Sequence, residues 1–213
     1  MSENNTQGVL AIAKEFGLDG LVSVGMDYIP FLSTFNNMRK FNRLERRMKE
    51  HSSQLKKISQ LSHDSTLANE YISERIFPIV LADLIEEHED AKINLILNGF
   101  ENVFIEEKSE ESIVINYYDT LRNLRYKDIR RLLDLVGITG SFHTGLIITE
   151  EVAVISGIDA KLESYGLLRI DRVPIGEGKG EYEFVNPSHI YETHYGNSFL
   201  QFILSKEKNV AEW

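Results

Sequence analysis

Residues 149–185 read TEEVAVISGIDAKLESYGLLRIDRVPIGEGKGEYEFV, and the change of rhythm inside this stretch decides how the C-terminal half folds. Thr149 followed by Glu150 and Glu151 marks a helix start. A threonine oxygen accepts from the free amides of a first turn, and carboxylates sit well at the positive end of the helix dipole. Gly157 and Gly166 read as stops that leave a short helix pair. After Gly166 the pattern alternates in LLRIDRV, turns through PIGEGKG and alternates again in EYEFV, which predicts a hairpin near residues 167–185.

Working outward, LRNLRYKDIRRLLDLV predicts a preceding helix with Leu132, Leu133 and Val136 turned inward. THYGNSFLQFIL predicts a closing helix that covers the hairpin through Phe199, Leu200 and Ile203. Helix, helix pair, hairpin and closing helix make a winged-helix-like domain over residues 119–205, followed by a tail at 206–213. The expected fold is mainly α, with a helical N-terminal part and one small β-hairpin in the C-terminal domain.

A winged helix invites the question of DNA, and charge answers it first, because Lys and Arg against phosphate supply most of such affinity. Between residues 149 and 165, Glu150, Glu151, Asp159 and Glu163 stand against Lys161 alone, a balance of −3. That helix pair repels a polyanion. Just before it lies a basic cluster, Arg122, Arg125, Lys127, Arg130 and Arg131 against Asp128, which is a nucleic-acid or anion patch unless it pairs with the acidic helices. In a winged helix this position approaches the backbone and stays out of the groove. Nucleic acid is therefore a disfavoured partner and a protein the expected one.

The chain has 213 residues, 42% of them hydrophobic, and a formal charge of −10. This suffices for a core and argues against general nucleic-acid affinity. The absence of cysteine excludes disulfides, thiolate nucleophiles and thiolate zinc sites, and fits a reducing cytoplasm. MSENNTQG lacks the positive charge of a secretory leader. Residues 8–35 are apolar and glycine-bearing, but Asp19, Asp27 and Pro30 interrupt the run 17–35, and a spanning helix rejects central aspartates.

Residues 1–62 form an N-terminal apolar segment and basic heptad helix, and 63–118 a helical region. In MRKFNRLERRMKEHSSQLKK, residues 38–57, eight cations face Glu45 and Glu50, a local +6. Phe41, Leu44, Met48, His51, Leu55 and Ile58 recur at spacings of 3, 4, 3, 4, 3, as in a coiled-coil seam. Three kinds of partner suit this helix: its own domain, a second copy of the chain in a homo-oligomer, or a polyanion, either RNA or an anionic membrane surface met through residues 8–57. The run IFPIVLADLIEEHEDAKINLILNGFENVFIEE keeps helical spacing throughout, with Pro78 in a first turn, and a further helix follows in EESIVINYYDTL. Glu86 and Asp90 are four apart, a spacing that invites a metal, but no second helix supplies matching ligands and a solvated face is the plainer reading.

Candidate chemistry is thin. Ser141, His143 and Asp134 lack the turn pattern that holds a nucleophile. GEGKG at 176–180 joins two strands, whereas a phosphate-cradling loop opens a helix. His189 and His194 have only Glu192 beside them. No catalytic, metal or cofactor site is expected, and the protein is expected not to be an enzyme.

The basic RKFNRLERRMKE helix, EEHEDAKINLILNGFENVFIEE, LRNLRYKDIRRLLDLV, LESYGLLRID and THYGNSFLQFI together resemble the Abi-alpha family of bacterial abortive-infection, phage-resistance proteins. Leu-Gly-Leu leading into a strand and Thr-Gly-Phe in the closing helix are the patterns that carry the resemblance, and the glycine-rich stretch 137–148 departs from it. The resemblance implies a phage-defence component; the acidic helix pair adds an expected action through protein contacts, and the apolar and basic residues 8–57 an expected place in the cytoplasm, peripheral to the inner face of the membrane. It transfers no site residues. The rival expectation is a winged-helix transcriptional regulator using the Arg122 to Arg131 cluster.

Overall fold

The computed structural model describes residues 38–139, 150–171 and 190–206, together with 11, 13–15, 17 and 18. Among these the chain is mainly helical with one small antiparallel sheet of two strands, as expected. It divides into two compact units. The first comprises Met1–Asn123 with Phe202–Ser205, and the second Leu124–Gln201 with Lys206–Trp213. The expected segments 1–62 and 63–118 thus share one unit, and the expected boundary near 119 falls after Asn123.

In the first unit, α1 (Met38–Glu50) and α2 (Ser52–Asp64) are separated by His51, whose φ of −107° and ψ of 24° leave the helical region. The heptad run is therefore a pair of helices. A π-helical turn, Tyr71–Ile76, then leads directly into α3 (Phe77–Glu86). Pro78 has no N–H to continue an i→i−4 ladder, and the wider turn accommodates it: the Phe77 N–H reaches back five residues to the Ile72 carbonyl.

The long apolar run breaks where its spacing gives no warning. Glu87 and Glu89 are extended (ψ 134° and 101°), and a 3₁₀ turn, Asp90–Lys92, starts the next helix. That helix, α4 (Ile93–Ile105), is buried on nearly every side and forms the centre of the unit. α2 and α3 both pack on it, and α1 packs on α3. Phe100 lies 5.7 Å from Phe77 and 5.1 Å from Phe104, ring centre to ring centre.

Beyond α4 the chain turns through Glu107, which has a left-handed φ of 49°, with the Lys108 N–H on the Val103 carbonyl at 2.9 Å. Ordinarily glycine holds such a position. Here the Glu107 carboxylate accepts from Ser65 Oγ, Thr66 Oγ1 and the Thr66 N–H, a use no glycine offers. α5 (Glu111–Asn123) follows, and Tyr117 and Tyr118 pack on Phe202 at 5.0 and 5.1 Å.

The second unit contains α6 (Tyr126–Leu135), α7 (Glu150–Ser164), β1 (Leu168–Ile170), β2 (Ile190–Glu192) and α8 (His194–Ile203), although α8 counts with the first unit from Phe202 onward. α7 corrects one expectation: it runs unbroken through Gly157, so the helix pair is a single helix. Apolar neighbours and good helix formers on both sides carry the ladder across one glycine, at a cost of about 1 kcal/mol. Gly166 does end the helix, at φ 67°, with the Leu167 N–H on the Leu162 carbonyl.

β1 pairs with β2 in the register Leu168 to Glu192 and Ile170 to Ile190. The described partner strand is therefore residues 190–192. The expected second strand, 181–185, and the glycine-rich tip lie outside the described residues. On its other edge, β1 offers the Ile170 N–H to the Glu163 carboxylate at 2.9 Å. The Leu-Gly-Leu and Thr-Gly-Phe patterns meet here. Thr193 Oγ1 lies against the Gly166 and Leu167 carbonyls and accepts the Gly196 N–H at 2.9 Å as the cap of α8. A β-carbon on Gly196 would stand 1.8 Å from the Leu167 carbonyl oxygen.

The two glycines predict opposite outcomes. Gly196→Ala must push two backbones apart and is expected to lower unfolding stability by about 3 kcal/mol or more. Gly157→Ala meets nothing within 4 Å and is expected to raise it by about 0.5–1 kcal/mol. Denaturant unfolding of the two variants measures both.

Candidate functional site

The +6 segment and the acidic run 86–90 find each other. Lys40 pairs with Glu86; Arg46 with Asp90 at 2.9 Å and Glu50 at 3.1 Å; Lys49 with Glu45 at 2.7 Å; and Lys57 with Glu101 at 2.6 Å. Arg43 donates to the Ile85 carbonyl. At the centre is Arg47, only 2% exposed, with Nη1 on the Leu84 carbonyl (2.6 Å), Nη2 on the Glu87 carbonyl (2.7 Å) and both Nε and Nη2 on Asp90. Those carbonyls lie at the C-terminal end of α3, where helix geometry leaves acceptors without partners. The Arg47 and Arg46 guanidiniums hold the Asp90 carboxyl below its ordinary range.

Glu86 and Asp90 thus do not share a helix face, since α3 ends at Glu86. Among the described residues no three His, Asp or Glu side chains are grouped to hold a metal.

The expected oligomer seam is placed inside the chain. Leu44, Met48, Leu55 and Ile58 are buried by the same chain, while Phe41 and His51 are half-buried. Of the apolar N-terminal segment, Ala13 and Leu18 are buried, Ala11, Lys14 and Glu15 are exposed, and the Gly17 carbonyl accepts from Ser59 Oγ at 2.8 Å; residues 8–10, 12, 16 and 19–35 lie outside the described residues. No helix of the described residues is long and apolar enough to cross a membrane.

The basic cluster is split by its surroundings. Arg122, in the first unit, pairs with Asp83 at 2.8 Å and Asp119 at 2.7 Å. Arg131, 7% exposed, grips Asp159 of α7 through Nε (2.9 Å) and Nη2 (3.1 Å). Asp128 is turned inward as well, bound by Lys161 of α7 at 2.7 Å and by the Arg125 N–H at 2.9 Å. An acid and a base of α6 therefore cross with a base and an acid of α7. Arg125, Lys127 and Arg130 remain exposed.

Asp134, considered beside Ser141 and His143, pairs with Arg131 at 3.1 Å, and both proposed partners lie outside the described residues, as do His189 and GEGKG. Sequence reasoning missed the polar core of the first unit. Gln54 donates to Asn98 and Glu101, while the Asn98 and Asn102 amides donate to the carbonyls of Phe202, Ile203 and Leu204 at 2.8–3.0 Å. The signal was available: three asparagines, Asn94, Asn98 and Asn102, and Glu101 interrupt INLILNGFENVFI on a helix otherwise apolar all round.

No family model matches this chain, nor does any curated protein or solved structure.

Removing the central guanidinium leaves the Leu84 and Glu87 carbonyls without this donor and Asp90 with Arg46 alone, so Arg47→Ala is expected to lower stability by about 3 kcal/mol in chemical denaturation. The folded-state carboxyl of Asp90 titrates below its unfolded value. Its contribution is therefore complete above about pH 4 and lost as pH falls through the folded value. Asp90→Asn should flatten the acid limb of the stability profile. Leu44→Glu or Met48→Glu should unfold the first unit, losing more than about 3 kcal/mol each; a folded variant that merely changes its oligomeric state would show that the stripe faces another copy.

Proposed function

We propose that this chain is a non-enzymatic interaction protein of bacterial or phage-related origin, an abortive-infection-type component that works through protein–protein contacts in the cytoplasm and at the inner face of the membrane. In this reading the second unit is a winged-helix-like module whose ligand is a protein. The order of its elements, two helices, two paired strands and a closing helix, supports the winged-helix reading. The resemblance of the Gly166 and Thr193 motifs to the Abi-alpha pattern supports the defence role.

One observation carries the choice of protein over DNA: Arg131 of α6 and Lys161 of α7 are committed to Asp159 and Asp128 on the facing helix. Along the outer face of α7, Glu150, Ala153, Val154, Ser156 and Ala160 are exposed and none carries a positive charge. A groove-reading helix needs donors there. Self-association belongs to the same reading, but with Leu44, Met48, Leu55 and Ile58 covered within the chain it uses another surface.

The test is expression in a bacterial host, challenge with a broad phage panel and recovery of bound proteins during infection. Reduced plating with a specific co-purifying protein is the expected result, with no retardation of duplex DNA at physiological salt. Unchanged plating together with a defined DNA site shifted at low concentration, and a steep salt dependence lowered by Arg130→Ala, would replace this reading with the transcriptional regulator.

A further inference from the structure

Most of the described cations are answered by carboxylates or carbonyls, and three of the five exceptions lie together. Arg125, Lys127 and Arg130 are exposed, and among the described residues none of their side chains meets a carboxylate; Lys14 and Lys56 share that condition but stand singly. The three fall within six residues, Arg125 as the extended cap residue before α6 and Lys127 and Arg130 on its first two turns. Asp128 lies among them in sequence and could have neutralised them, but it is buried and bound to Lys161. Arg131 is likewise turned inward to Asp159. The helix sorts its charges, a balanced pair inside and three cations outside.

From this sorting we infer that the outer face of α6, Arg125, Lys127 and Arg130, is the contact surface of the second unit and that it takes an acidic protein segment with carboxylates at helical spacing. The inference rests on the protein-partner reading above and names that partner's chemistry. Lys127 and Arg130 are three residues apart on one helix, so their charges project side by side and match carboxylates three or four apart on a facing helix. Arginine adds a planar fork that receives a carboxylate at two points. Three cations are few for a nucleic acid, which gains affinity from many phosphates at once, and a chain of charge −10 repels a long polyanion while leaving a short acidic segment free to dock.

The full-length protein is titrated by fluorescence anisotropy with three probes: a helical peptide with glutamates at i, i+3 and i+4, the same peptide with lysines, and a short DNA duplex. The glutamate peptide should bind, weaken with salt, and lose about tenfold in affinity to the triple variant Arg125→Ala, Lys127→Ala, Arg130→Ala. These side chains are exposed, so the variant should keep the wild-type melting curve, which separates lost contact from lost fold. Equal binding of the glutamate and lysine peptides, unchanged binding by the triple variant, or tighter binding to the duplex would each overturn the inference. A phage-stage partner that the triple variant still captures overturns this surface while leaving the protein-partner reading intact. Absence of any partner and of any plating effect removes that reading itself.

Discussion

A guanidinium shut away from water must find acceptors for its donors inside the protein, and Arg47 finds them in one place, the corner where α3 ends. The geometry of that corner follows from the need. The Leu84 and Glu87 carbonyls have to point at the same group as the Asp90 carboxylate, which requires the backbone to leave the helix between Glu86 and Asp90 and to start again in a new direction. α4 can then occupy the centre of the unit with α2 and α3 against it. Burying the charge is costly unless every donor is met. The corner is therefore held by the same contacts that α1 needs in order to sit down.

How much of this was legible depends on the range of the interaction. Local chemistry could be read directly: Pro78 near a helix start, Gly166 as a helix stop, and a strand after it, because each follows from the dihedral or donor count of one or two residues. The break at residues 87–89 could not, since the apolar spacing continues across it and its cause, Arg47, lies about 40 residues away in sequence. The basic helix and the acidic run were each recognisable. Their pairing was not, because composition reports charge and says nothing about which charges become neighbours. Gly157 fails for the opposite reason: a single glycine is a weak local signal that packing overrides.

In the candidate surfaces, the same limit applied to direction. The sequence cluster from Arg122 to Arg131 looks uniform, yet Arg131 is buried and Arg130 beside it is exposed. A helix turns each successive side chain through about 100°, so neighbouring cations have different fates. Only the position of α7 decides which ones. The polar residues inside α4 were visible as interruptions, but their partners, three carbonyls at the end of the described chain, are the kind of ligand that leaves no side-chain trace in a sequence.

Those three carbonyls also set a schedule. Asn98 and Asn102 are joined to Ile203, Phe202 and Leu204 across 100 to 105 residues of chain. On a ribosome adding about 5–20 residues per second, the asparagines emerge on the order of 5–20 s before the groups they bind. Throughout that interval, the centre of the first unit holds amides that only water can satisfy and a face of α4 that Phe202 has yet to cover. The unit encoded first is thus closed late, and its closure coincides with the arrival of the chain that also completes α8.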